Sequence, residues 1–319
     1  MQPGLGAIGL CSWDRFLVLD RYPEAGGYAT VQREFEQAGG TTSNTCAALG
    51  KLGVAITLAS TVGNDTMGDR LLASLQEAGC DTRLISRSDT EPTDSSQILI
   101  AGHDGNPERT IIWFKGAQPR MGDQLPINEL LDHRWLLVDV NDDRLREFLL
   151  SLPAHLSPRT QLAGAMTYLT DSAPETGLRH LLDHDVMFGN QRELMHLTAT
   201  TTIQQAIAVV QSGMQATACR AIYLTLGAGG AAAIRADRVT HAPAFKVDVV
   251  DTTGAGDAFA AGALWGIADA LDDHEILQRA NATGALCCTA FGARSGLPTR
   301  KEALDLIANG ETRSHVPLD

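Results

Sequence analysis

Along most of this chain, short apolar runs alternate with stretches in which apolar residues recur every three or four positions. Residues 56–62 are a run of the first kind, and residues 67–78 carry the helical spacing of the second. Residues 135–140, 161–166, 186–188 and 221–226 are further apolar runs, short and of the buried-strand type. Helical patterns lie between them at residues 145–150, 175–182 and 202–214. Residues 5–11 read as the first central strand, with Asp14 just past its end. A strand that returns through a helical crossover pairs parallel. The pattern therefore predicts an α/β fold with a largely parallel, doubly wound sheet.

Two segments break that rhythm. Residues 16–19 and 28–36 alternate polar and apolar as in a two-sided strand, with a turn at residues 23–27. Residues 96–102 and 110–114 form a second such pair, joined by Asp104-Gly105-Asn106-Pro107. These hairpins do not read as core. They predict a small β-sheet lid, spanning about 12–36 and 96–116, inserted in one domain that runs from 1 to 319. The chain has no repeat, no low-complexity segment and no linker long enough to divide it.

Candidate chemistry concentrates in residues 247–259. Periodicity predicts a buried strand ending at Asp251, then a turn of small residues, then a helix entered at Gly256. Glycines at 254 and 256 let the backbone approach a ligand closely. The first N–H groups of the helix lack internal partners and lie at the positive end of its dipole. Gly254, Ala255 and Gly256 thus offer a site for an anion, with Asp257 beside it. Asp257 is either a cap or a base. The dipole is expected to keep it ionised at neutral pH.

Other stretches offer polar groups at element ends. Gly39 and Gly40 run into a helical stretch with Asn44 near its start. Asn190 and Glu193 follow the run 186–188 and, three apart, would share a helix face. Thr225, Gly227 and Gly230 form a glycine-rich turn after the run 221–226, but no GK[ST] occurs, so this is not a Walker loop. Residues 4–9 match the dinucleotide spacing, yet the required strand before and helix after are missing.

Residues 251–259 resemble the second signature of the PfkB/ribokinase family of sugar kinases, and residues 39–53 resemble its first. Gly63, Asp65 and Gly68 continue the pattern, and the likeness extends from Ala7 to about Pro298. The resemblance implies a ribokinase-like α/β/α sandwich with a mainly parallel central sheet and a small β-sheet lid. It implies transfer of the γ-phosphoryl group of ATP to a hydroxyl of a small sugar, with Asp257 as base and residues 254–256 as anion hole. It implies that Asp14, Gly40 and Asn44 bind the acceptor, and that Arg109 stands at the lid edge. By the same likeness, Thr225, Gly227, Gly230 and Asn281 flank the nucleotide. Asn190 and Glu193 act on Mg2+ through water, and Asp251, Thr253 and Gly292 match positions that hold K+ in many relatives.

The acceptor stays open at this stage. Residues 39–49 and 109–113 look like ketohexokinase, and residues 241–259 look more like sulfofructose kinase. Ribose, a ketohexose, a keto-deoxy sugar acid, sulfofructose and a nucleoside are all compatible. A catalytically silent sugar- or nucleotide-sensing module is the rival from another class. Retention of Asp257 and both glycines argues against it. Because the lid strands alternate, one face can cover the sugar while an edge meets a second copy, so a homodimer through the lid is expected.

Charge narrows the partners. With 25 basic and 38 acidic side chains, the net charge is −13, which argues against nucleic acid or an anionic membrane surface as partner. ATP must then be met by backbone dipoles and a metal. Cysteines at 11, 46, 80, 219, 287 and 288 form no CxxC pair, and Cys287 and Cys288 read as small core residues. No signal-like segment and no run of about 20 apolar residues is present, so a cytoplasmic protein is expected.

Overall fold

Alternate side chains of a strand face opposite sides, so a strand covered by helices on both faces must be apolar throughout. The first strand shows this directly: Ala7 packs into one apolar cluster and its neighbour Ile8 into another. A computed structural model describes residues 2–101, 108–152 and 159–314. Its strands are β1 (Gln2–Gly9), β2 (Ser12–Leu19), β3 (Val31–Gly39), β4 (Ile56–Gly63), β5 (Asp81–Ser88), β6 (Ser95–Ala101) and β7 (Glu108–Phe114). There follow β8 (His133–Asp139), β9 (Gln161–Ala165), β10 (Val186–Asn190), β11 (Ala221–Thr225), β12 (Ala231–Ile234) and β13 (Val239–Ala242). The helices are α1 (Thr41–Lys51), α2 (Thr66–Glu77), α3 (Ile127–Leu131), α4 (Asp143–Ser151) and α5 (Pro174–Asp183). They continue with α6 (Gln191–Leu197), α7 (Ile203–Met214), α8 (Ala255–Ala268), α9 (Asp273–Cys287) and α10 (Arg300–Asn309).

The large sheet runs in the order β13-β12-β11-β10-β9-β8-β1-β4-β5. Its pairs from β11 to β5 are parallel, and β12 and β13 are joined antiparallel at one edge. One face packs Leu49 of α1, Leu264 and Trp265 of α8 and Leu277 of α9. The other packs Leu145 and Leu149 of α4, and Leu181, Leu194 and Val210 of α5 to α7. Helix α8 is apolar on almost every side, as a helix enclosed by neighbours must be. Its small residues allow close approach: a Cβ on Gly262 would come within 2.7 Å of the Arg279 carbonyl of α9.

The second sheet has the order β3-β2-β6-β7. Both hairpins expected from alternation are present, β2 with β3 and β6 with β7, joined by parallel pairing of β2 with β6. The turn expected at residues 104–107 lies outside the described residues. Two boundaries differ from the sequence reading. Strand β3 begins at Val31, not at Tyr28, and β1 ends at Gly9, not at residue 11, with Asp14 inside β2 of the small sheet.

A larger correction concerns residues 247–251, expected as a buried strand. They carry no strand, and Val249 is 56% exposed. Three valines among five residues cannot by themselves distinguish a core strand from the apolar wall of a cavity. Here Val247 and Val249 line a cavity.

Candidate active site

In an open parallel sheet, ligands gather beyond the carboxyl ends of the strands, where chain and helix N-termini converge. Asp139 ends β8, Asn190 ends β10 and Thr225 ends β11. Two adjoining cavities open there. The smaller, about 80 Å³, is lined by Thr41, Thr45, Asp139, Glu193, Gly256 and Asp257 among others. The larger, about 380 Å³, is lined by Gly227, Gly230, Phe245, Val249, Asn281 and Gly284 among others. Thr225, Gly256 and Phe259 line both.

Gly256 is therefore the hinge point of the site. A Cβ there would meet nothing within 4 Å, so the first turn of α8 faces open space. Gly254, the residue before the helix, adopts a left-handed conformation with φ 76°. A side chain at 254 would also come within 2.7 Å of Ala293. Only glycine allows the chain to turn this sharply against the loop after α9.

Asp257 is held from α1: Asn44 Nδ2 donates to Asp257 Oδ2 at 2.9 Å, and Thr45 Oγ1 donates to its backbone carbonyl at 3.4 Å. Burial pushes its carboxyl up to about 7, although Asn44, Arg109 and Arg294 pull it down. This reverses the expectation from the helix dipole. Loss of water around a buried carboxylate outweighs a dipole worth a fraction of a charge.

Asp14 enters from the small sheet. It is 8% exposed, accepts from Ser12 Oγ at 2.9 Å, and burial raises its carboxyl to about 6. A Cβ on Gly39 would overlap the Asp14 carboxylate, which explains the first of the paired glycines. Gly40 has φ 89° and turns the chain into α1. Arg109 of β7 reaches down from the same sheet and donates from Nη1 to Thr253 Oγ1 at 3.3 Å.

The family model described as pfkB family carbohydrate kinase matches residues 5–300. The chain belongs to the PfkB family of carbohydrate kinases. It is 32% identical to an ATP-dependent ribose-1-phosphate kinase of Halopiger xanaduensis, over 91% of this chain and 93% of the relative. It is 26% identical to a ribokinase of Bacillus subtilis, over 94% and 98% of the two chains. The solved structure of Arabidopsis thaliana ribokinase complexed with ribose and ATP superposes with a TM-score of 0.81 at 22% identity. That match covers 96% of this chain and 99% of the other. The fold is ribokinase-like, and the chain is an ATP-dependent sugar or nucleoside kinase of that family.

Within this PfkB kinase the remaining expected groups fall out unevenly. Thr225, Gly227, Gly230 and Asn281 all line the larger cavity. Asn281 is buried, and its amide donates to the carbonyls of Ala242 and Pro243, both at 3.1 Å, fixing α9 to the end of β13. Asp251, Thr253 and Gly292 do meet. Asp251 Oδ1 accepts from Thr253 N and Oγ1, and Oδ2 accepts from Gly292 N at 2.8 Å.

Asn190 and Glu193 both border the smaller cavity, and at the start of α6 they also bond to each other. Asn190 Oδ1 accepts from the N–H groups of Arg192 and Glu193, and Glu193 Oε2 accepts from Asn190 N, closing a capping box on α6. Glu193 still borders the smaller cavity, where burial raises its pKa.

Two residues were missed in the sequence. Asp139 was counted within an apolar strand, yet it is buried beside Asp257 in the smaller cavity. Among the described residues its Oδ1 has no hydrogen-bond partner, and burial, then the Asp257 charge, push its carboxyl up to about 7. An acid at the carboxyl end of a parallel strand was the signal available. Arg294, which no sequence motif singles out, lies buried against Asn44.

Proposed function

We propose that this kinase transfers the γ-phosphoryl group of ATP to a hydroxyl of ribose or a ribose derivative, with Asp257 as general base. The observation that carries the reading is the first turn of α8. Gly256 borders both cavities, and Asp257 follows it in the smaller one. The nucleotide occupies the larger cavity, its base and ribose against Val249, Asn281 and Gly284. Its terminal phosphate meets the N–H groups of residues 254–257.

The acceptor lies between α8 and the lid. Asp14 accepts hydrogen bonds from two sugar hydroxyls, as one carboxylate can, and Gly40 leaves room for the ring. The hydroxyl that reacts donates to Asp257. As its oxygen bonds to the γ-phosphorus and the bond to the ADP oxygen breaks, Asp257 takes the proton. The N–H groups of the α8 turn hold the charge that spreads over the transferring oxygens. Arg109 adds positive charge from the lid side, and the lid excludes water as a competing acceptor.

Magnesium fits the smaller cavity: a hard cation takes oxygen ligands, and the unpartnered Asp139 Oδ1 and the Glu193 carboxylate both border it. Asp139 and Glu193 would hold it through water, and when bound it neutralises phosphate charge. Potassium does not fit as readily. The Asp251 carboxylate already accepts three hydrogen bonds from Thr253 and Gly292, so no step is assigned to it. The reading also includes a second copy of the chain across the lid. Strand β7 is an edge strand, and its Ile111, Ile112, Trp113 and Phe114 are all exposed.

A phosphosugar acceptor is the second reading, favoured by the 32% identity to a ribose-1-phosphate kinase and by the cationic Arg109 at the transfer turn. ADP release measured over ribose, ribose 1-phosphate, ketohexoses, keto-deoxy sugar acids, sulfofructose and nucleosides tests both. Ribose or its derivatives should give the highest kcat/KM. Turnover confined to a ketohexose or sugar acid would overturn the substrate class.

A further inference from the structure

Arg294 is buried in the loop after α9, and among the described residues all its hydrogen bonds go to neutral oxygens. Nε donates to Asn44 Oδ1 at 2.8 Å, Nη2 to Ser43 Oγ at 2.6 Å and to the Gly39 carbonyl at 3.4 Å, and Nη1 to Ser74 Oγ at 3.3 Å. Burying a guanidinium without a carboxylate in contact is costly, so its donors and charge need a use. The loop itself is tied to the lid: Arg294 N donates to Gln37 Oε1 of β3, and Gln37 Nε2 donates to Ser295 Oγ.

An asparagine amide has an acceptor end and a donor end, whereas a guanidinium only donates. With Asn44 Oδ1 held by Arg294, Nδ2 is left facing Asp257 Oδ2 at 2.9 Å. A half-turn of the amide would set donor against donor at Arg294 and oxygen against carboxylate at Asp257. We infer that Arg294 is a positioning residue for the phosphoryl transfer, locking the Asn44 amide so that its NH2 end holds the base Asp257. This inference rests on the proposed role of Asp257.

The same relay favours the ionised base, because a donor and a cation both stabilise a carboxylate. Other groups act on Asp257 from each side. Asp14 on β2 and Asp139 at the end of β8 oppose ionisation, and Arg109 on β7 assists it. Tyr168 after β9 and Cys287 on α9 also sense its charge. Arg109 and Arg294 are told apart by Asn44, which only Arg294 holds.

The test is a double-mutant cycle on the full chain. Arg294→Met and Asn44→Ala are measured singly and together, as kcat, KM and rate against pH, with the best acceptor. Arg294→Met should lower kcat by about tenfold or more and move the acid limb to higher pH, while KM for ATP stays within about twofold. Added to Asn44→Ala, it should cost little more. Arg294→Lys should restore part of the acid limb without restoring the rate, and it also serves should the Met variant not fold. Full additivity of the two substitutions, or an unmoved acid limb, overturns the inference. An inactive Asp257→Asn with no Arg294–Asn44 coupling removes this inference alone. An active Asp257→Asn removes the reading beneath it.

Discussion

Asp139 and Asp14 are buried and Asp257 is half-buried within one site, and each holds its proton to higher pH than a free carboxyl does. For Asp139 the consequence is a pH-dependent stability. The folded state keeps the proton up to about 7, whereas a free carboxyl loses it near 3.8. Its contribution is thus fully present below the unfolded pKa and is lost as pH rises through the folded one. Asn cannot ionise, so Asp139→Asn should gain Tm over the parent as pH rises from 4 to 7 and hold the gain above. By pH 8 the gain should reach about 3 °C or more in thermal melts without nucleotide or metal. A Tm difference that does not vary with pH would contradict this burial argument. Asn44 and Asp257 were legible in the sequence because each sits in a stretch that resembles a family signature, and Asp14 because it matches a family position outside both. Asp139 and Arg294 were not: one is a polar end on an apolar strand, the other a loop cation whose partners lie about 250 residues away in sequence.

At the scale of elements, the helix start at Asn190 separates a structural role from a chemical one. Asn190 caps α6, so Asn190→Ala should lower stability by about 1 kcal/mol in denaturant titration and leave the magnesium requirement alone. Glu193→Gln keeps an oxygen for the capping box but removes the charge beside the smaller cavity. It should raise the magnesium concentration that gives half-maximal rate, with stability little changed. Identical effects of the two substitutions would reduce both residues to caps. The lid hairpins and the central strands were legible because alternation and apolar runs report burial, which is what fixes those elements. Residues 247–251 were misread for the same reason. Val247 and Val249 line the larger cavity instead of the core, and periodicity registers only that they are apolar.

The whole molecule works as an α/β body that presents the turn of α8 and a small sheet that brings Asp14 and Arg109 to it. That division is readable in the sequence, because the two sheets follow different hydrophobic periods. How the lid meets α8 is not, since Gln37, Arg109 and Arg294 make contacts across long stretches of chain. The exposed apolar edge of β7 gives a prediction at this scale: light scattering at micromolar concentration should report a dimer. Replacing Ile112 and Phe114 with Lys should yield monomers, because charged edges resist strand pairing. A monomeric parent would contradict the lid contact.

The central claim is that Asp257 takes the acceptor proton during phosphoryl transfer. The decisive measurement is turnover of Asp257→Asn with the best acceptor, alongside calorimetry for ATP and for that acceptor. Asn keeps the shape and the place on α8 but cannot take a proton. Turnover should fall by roughly 10²–10⁴-fold while both ligands still bind. In the parent, kcat/KM should decline as pH falls through about 7, where the buried carboxyl gains its proton. Turnover by the Asn variant within a few-fold of the parent would contradict the account.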